Sequence, residues 1–170
     1  MTTPDTAVQR TEFPVHGLGL VVLGGLVAGT LDLTFAFVFY GLQGAAPGRI
    51  LQGIASGILG KASFQMGAAS VALGAVCHFF TSVCAAFVFY FASGRFAFLT
   101  RHIVISGAVF GVLVFLTMHF VVIPLSAIHA GPLKLWNVVG ELCSHIFLFG
   151  IVIAFAVSRA RGSQSLARAA

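Results

Sequence analysis

Four long apolar runs, about 17–42, 68–93, 102–125 and 136–158, constrain this chain more than any other feature. Each is long enough to cross the hydrocarbon core of a bilayer as a helix, which takes about 20 residues. Across the whole sequence 59% of residues are hydrophobic and 8% charged, with a mean hydropathy of +1.06. Nine Lys and Arg with four Asp and Glu cannot cover so much apolar surface in water, so lipid is the expected solvent for most of the chain. The expected fold is all-α, an integral membrane four-helix bundle with short loops and one interfacial or re-entrant helix. A net charge of +5 would point to nucleic acid in a soluble protein. Here most of the basic residues flank apolar runs and act as topology signals, so nucleic-acid binding is not expected.

Residues 1–16 are polar, lack apolar periodicity and read as a disordered tail; 17–158 form a single membrane domain, and 159–170 a basic tail. The first run exceeds a signal-peptide core and shows no convincing small-residue cleavage pattern, which predicts a retained spanning helix. Between the first two runs, Pro47 can start a helix over about 47–60. Ile50, Leu51, Ile54 and Ile58 fall toward one side of it, and Gln52, Gly53, Ser56 and Gly57 toward the other. Such a helix reaches only about 21 Å, short of a hydrocarbon core of roughly 30 Å. It is either a lid over polar residues or a surface anchor. The short basic link 94–101 predicts that the second and third spans are antiparallel neighbours. Pro124 ends or kinks the third span, Gly131-Pro132 marks a turn, and Trp136 is placed as an interfacial anchor. With four spans both termini share a side. That side gathers Arg10, Arg95, Arg101, Arg159, Arg161 and Arg168 against Arg49, Lys61 and Lys134 opposite, which predicts cytoplasmic termini.

Small residues recur on single helical faces. Gly25, Gly29, Asp32 and Ala36 share one, Gly74, His78, Thr81 and Ala85 another, and Gly107 and Gly111 mark the third span. Such faces let helices approach closely, within the chain, in a homo-oligomer or against a partner membrane protein. Cys77, Cys84 and Cys143 all lie in apolar runs and are expected to be small buried hydrophobes. Cys77 and Cys84, about 10 Å apart in rise on one helix, cannot pair.

The stretch from Asn137 to His145 is the chemically richest. Asn137, Glu141, Ser144 and His145 share one face of an apolar helix, and a polar stripe must be hidden from lipid. Counted from the ends of the spans opposite the termini, Asp32 lies roughly 12 Å deep, His78 roughly 15 Å, His119 roughly 9 Å, Glu141 roughly 8 Å and His145 roughly 13 Å. Five ionisable groups on four helices thus share one layer. His119, about 80° around its helix from Gly111, is the least securely buried of them. Three histidines and two carboxylates are sufficient ligands for zinc or another divalent ion, with His78, His119, Glu141 and His145 as ligands and Asp32 as ligand or orienting partner. The same groups could carry protons. Haem between two histidines is a third reading, without a specific aromatic context to support it. A hydrogen-bonded clamp between helices satisfies the same sequence facts. His16, His102 and His129 sit near ends or in a loop and receive no role. No His-Glu-x-x-His pair, Gly-x-Ser-x-Gly elbow or phosphate-cradling loop is present, so no enzymatic chemistry is expected.

His78-Phe79, Met118-His119 with Pro124 five residues after the histidine, and Glu141-Leu-Cys-Ser-His145, following a glycine-rich first span, resemble the YagU-type family of small bacterial inner-membrane proteins. That family carries a histidine-phenylalanine pair, a histidine followed five residues on by proline, and a Glu-x-x-Gly-His segment in the same order. Ser144 stands where the family pattern has glycine. The resemblance implies a four-helix inner-membrane protein of unsettled biochemical role, with His78, His119, Glu141 and His145 as one recurring set. It transfers no catalytic residues. The expected function is a non-enzymatic inner-membrane protein with a His/carboxylate cluster that binds a metal ion or handles protons. The alternative is a structural or accessory subunit.

Overall fold

The computed structural model describes residues 15–127 and 134–169, with side chains described over 17–127 and 134–163. The expected N-terminal tail up to residue 14, His129 and the Gly131-Pro132 turn lie outside the described residues, as does the side chain of His16. Every described element is helical. Helix α1 (Val15–Gly41) is followed by α2 (Pro47–Leu59), a 3₁₀ turn (Gly60–Gln65), α3 (Ala68–Arg95), α4 (Phe98–Arg101) and α5 (Ile103–Thr117). A π-helical segment (Met118–Val122) leads into α6 (Ile123–Leu125); then come α7 (Leu135–Ser144), a second π segment (His145–Gly150) and α8 (Ile151–Ala169). Four helices are long and apolar enough to cross a membrane: Gly17–Gly41, Ala68–Arg95, Ile103–Leu125 and Leu135–Ser163.

The two π segments have different causes. Pro124 has no N–H to offer the carbonyl four residues back, and its ring crowds that carbonyl. The helix widens instead, with the Ile123 N–H donating to Met118 O, five residues back, and continues through the proline to Leu125. In the fourth long helix the wide turn sits at a crossing. A Cβ on Gly111 would lie 2.1 Å from the His145 carbonyl oxygen, and one on Gly150 would lie 2.1 Å from the Gly107 carbonyl oxygen. Two backbones can approach this closely only at glycine.

Helix α1 packs on both α3 and α8, and the third long helix packs on the fourth. The Gly25 and Gly29 face of α1 is filled by α3 of the same chain, where added Cβ atoms would come within 2.8 Å of Val83 Cα and 2.6 Å of Ser82 Oγ. Helices α3 and α5, joined through α4, make few close backbone approaches and meet through the rings of Phe89 and Phe110, 5.0 Å apart. Farther along, residues of both helices line a cavity. At the end nearest the termini, Val21, Ala28, Ala86, Phe89, Ile153 and Val157 form a closed apolar core.

One expectation, on the cysteines, needs correction, and two segments gain detail. The basic segment after Ser158 continues α8 to Ala169, as its Ala, Arg, Gln and Leu residues favour. Arg161 folds onto the end of α3, where its Nη2 donates to Tyr90 O at 2.5 Å and its Nε to Ser93 Oγ at 3.3 Å. A cation there complements the carbonyl end of the helix. Cys84 and Cys143 are exposed on the helix surfaces and Cys77 is half-buried, because the interior contacts are made by glycine, alanine and serine. Finally, α2 buries its polar side. Gln52 and Ser56 are buried, Ser63 Oγ donates to Gln52 O at 2.6 Å, and Ser70 Oγ donates to Ser63 O at 2.7 Å. Gly74 of α3 lets Leu51 settle directly on the backbone, since a Cβ there would lie 2.0 Å from Leu51 O. The isoleucine side therefore faces the space between the long helices.

Candidate functional site

Beneath α2 lies a cavity of about 680 Å³. Ile50, Ile54 and Ile58 form its α2 wall, and Asp32, His78, Glu141, Ser144 and His145 line it together. The Ala127 N–H donates to Gly57 O at 2.9 Å, fastening the far end of the third long helix to α2. Helix α2 thus has the geometry of a lid.

Glu141 sits at the centre of one network. The hydroxyl of Tyr40 donates to its Oε1, and His119 Nε2 lies 3.1 Å from its Oε2. His119 Nδ1 lies 3.1 Å from Phe115 O, and since a carbonyl can only accept, this nitrogen carries a proton. His119 thus bridges the Phe115 carbonyl of its own helix and the Glu141 carboxyl group on the fourth long helix. The His119 ring also lies against Phe115, with centroids 4.2 Å apart.

Asp32 anchors the second group. Ser144 Oγ donates to Asp32 Oδ1 at 2.6 Å, and His145 Nδ1 donates to Glu141 O at 2.9 Å while standing 3.9 Å from the same Asp32 oxygen. His78 stands apart from both acids and donates from Nε2 to Gly29 O at 2.8 Å. His78 therefore lines the cavity without joining either carboxylate. Asn137, one turn before Glu141, has a buried Oδ1 that accepts no hydrogen bond among the described residues.

The five proposed ligands accordingly do not converge. Among the described residues no three His, Cys, Asp or Glu side chains come together as a group that could hold a metal ion. His119 engages both ring nitrogens and His78 its Nε2 within the chain, which leaves the histidines poorly placed as a shared ligand set. His119, expected to be the least buried, has a side chain only 10% exposed. Its 80° offset from Gly111 is two steps along an i, i+4 row, and such rows are the ridges that helices pack by. Gly107, Gly111, Phe115 and His119 form that row against the fourth long helix. Tyr40 was missed, although it extends the series Gly29, Asp32, Ala36 by one further step of four.

Fold and site together define an all-helical protein with four helices long and apolar enough to cross a membrane and a paired acid–histidine network under a short lid helix. No protein-family model, curated protein or solved structure matches the chain.

Proposed function

We propose that this is a multi-pass membrane protein, inserted through its four long helices with the termini on the cytoplasmic side, that holds and exchanges a proton at His119 and Glu141. The observation that carries the reading is the placing of His119 between Phe115 O and the Glu141 carboxyl group, an arrangement in which acid and base can share one proton, with Glu141 lining a cavity. A group that can take either protonation pattern without net charge is inexpensive to keep in an apolar layer, and ionisable residues at such depth lean toward function. Placement in a bacterial inner membrane rests on the resemblance to the YagU-type family, and the orientation on the arginines gathered near the termini.

A second reading has its own support. Glu141 on the fourth long helix contacts Tyr40 on the first and His119 on the third, so one carboxyl group ties three helices together. In that case the network is a clamp and the protein a structural or accessory subunit. Infrared difference spectra of the protein in lipid, recorded between acidic and alkaline buffer, separate the two. Proton exchange requires a carboxyl band that titrates and is absent from a folded Glu141→Gln variant. No titrating carboxyl band in the wild type, with Glu141→Gln unable to fold, would establish the clamp.

A further inference from the structure

The cavity and Asp32 carry a binding site that the His119–Glu141 proton does not require. At about 680 Å³ the cavity falls within the roughly 300–1,000 Å³ of sites that enclose drug-sized molecules. Much of its wall is apolar, with Phe35, Ile54, Phe80, Val114 and Phe149 among the lining residues, and among the described residues no lysine or arginine lines it.

Its polar groups are one-sided. Thr81 Oγ1 donates to Cys77 O at 2.8 Å, Ser82 Oγ to His78 O at 2.9 Å, Ser144 Oγ to Asp32, and Tyr40 to Glu141. His78 and His145 each donate one ring N–H to a backbone carbonyl, which leaves the other nitrogen of a neutral ring as an acceptor. These donors are engaged within the chain, and the spare capacity of the lining groups is acceptor capacity. Part of it belongs to Asp32, whose Oδ1 takes the Ser144 proton and whose Oδ2 takes no hydrogen bond among the described residues. The Asp32 side chain is 15% exposed, and it lines the cavity. An apolar chamber with a carboxylate and spare acceptors is complementary to a cationic donor, with aromatic rings close by to favour a cation further.

The rim also points to the source. Ile58, Phe80 and Leu125 line the cavity and are 64%, 69% and 83% exposed, so its mouth opens between α2, α3 and α6 through apolar side chains. A ligand reaching such a mouth arrives from an apolar phase. Lipids that carry an amine commonly carry a phosphate too, and among the described residues the cavity offers no lysine or arginine to receive one.

We propose that this cavity binds a free amphipathic amine, its apolar body against the phenylalanine and isoleucine walls and its ammonium group on Asp32. Equilibrium dialysis of radiolabelled 4-phenylbutylamine against the full chain in phosphatidylcholine nanodiscs tests this, with empty discs as the blank. Saturable binding is expected, weaker by about tenfold or more for 4-phenylbutanol and for the amine on Asp32→Asn, as for loss of a charge-assisted hydrogen bond. An Ala36→Phe variant, which fills the cavity from α1 and leaves Asp32 in place, should lose amine and alcohol alike, and it keeps the test decisive if Asp32→Asn does not fold. Equal affinity for the alcohol, full binding by folded Asp32→Asn or by Ala36→Phe, or displacement of the amine when phosphatidylethanolamine is added to the discs would overturn the assignment.

Discussion

Near the chain termini the long helices close on Val21, Ala28, Ala86, Phe89, Ile153 and Val157, whereas under α2 the same helices part around Asp32, Glu141, His119 and a cavity of about 680 Å³. In the closed half, alanines, valines and the rings of Phe89 and Phe149 interlock in one apolar cluster. In the open half lie the wide turns at Met118–Val122 and His145–Gly150, and α2 supplies one wall of the cavity. π segments are frequent at functional sites, and here both carry a histidine of the polar network. The closed half supplies stability without chemistry, which lets the other half keep polar groups that an apolar filling would have stabilised at least as well.

The largest effect is expected where the halves meet. Gly111 touches the His145 backbone so closely that no side chain fits, and Gly111→Leu must push α5 off the fourth long helix. Overpacking of an ordinary core site costs about 1–3 kcal/mol. Here the obstacle is backbone and cannot rotate away, so loss of the folded, monodisperse species on size exclusion in detergent is expected. A folded Gly111→Leu protein would show that the two helices are not locked together at this point.

Phe89→Ala probes the closed half alone. It empties the largest fully buried ring of that core and should cost about 3–5 kcal/mol in thermal or denaturant unfolding. The titrating carboxyl band and the amine affinity of the folded fraction should stay as in the wild type. A change in either would mean that the halves are coupled and that the comparison fails.

The four long helices were legible because length and apolar content decide them, and their limits differ from expectation by only a few residues except where α8 runs on. Asp32, Ser144 and His145 were legible as well, since a polar residue on a small-residue face has few places to go. What stayed hidden depends on crossings. The orientation of α2 turned on Gln52 finding partners in Ser63 and Ser70, while Ser56 donates to Gly53 O of its own helix, and no periodicity announces either. The π segment before Pro124 had a signal in the proline. The one at His145–Gly150 had none, because it arises from where Gly107 and Gly111 meet it. His119 is deeper than its angle from Gly111 suggests, because burial follows the packing row through Phe115.

Ser144→Ala gives the smallest effect and the sharpest view of the open half. Ser144 is 3% exposed and donates its proton to Asp32 Oδ1 at 2.6 Å. A hydrogen bond to a charged group contributes about 1.5–3 kcal/mol, so stability should fall by about that much if nothing replaces it. The substitution makes no cavity larger than one oxygen atom, so packing loss is minor and the change reports on the carboxylate. Asp32 would then keep only the distant His145 Nδ1, 3.9 Å away, and the rest of its demand would pass to whatever occupies the cavity. Added 4-phenylbutylamine should therefore restore more thermal stability to Ser144→Ala than it adds to the wild type. A loss below about 0.5 kcal/mol, the range of ordinary surface substitutions, would mean that Asp32 is already served by water from the cavity. The open half would then be a wet chamber whose acid needs no support from the fourth helix.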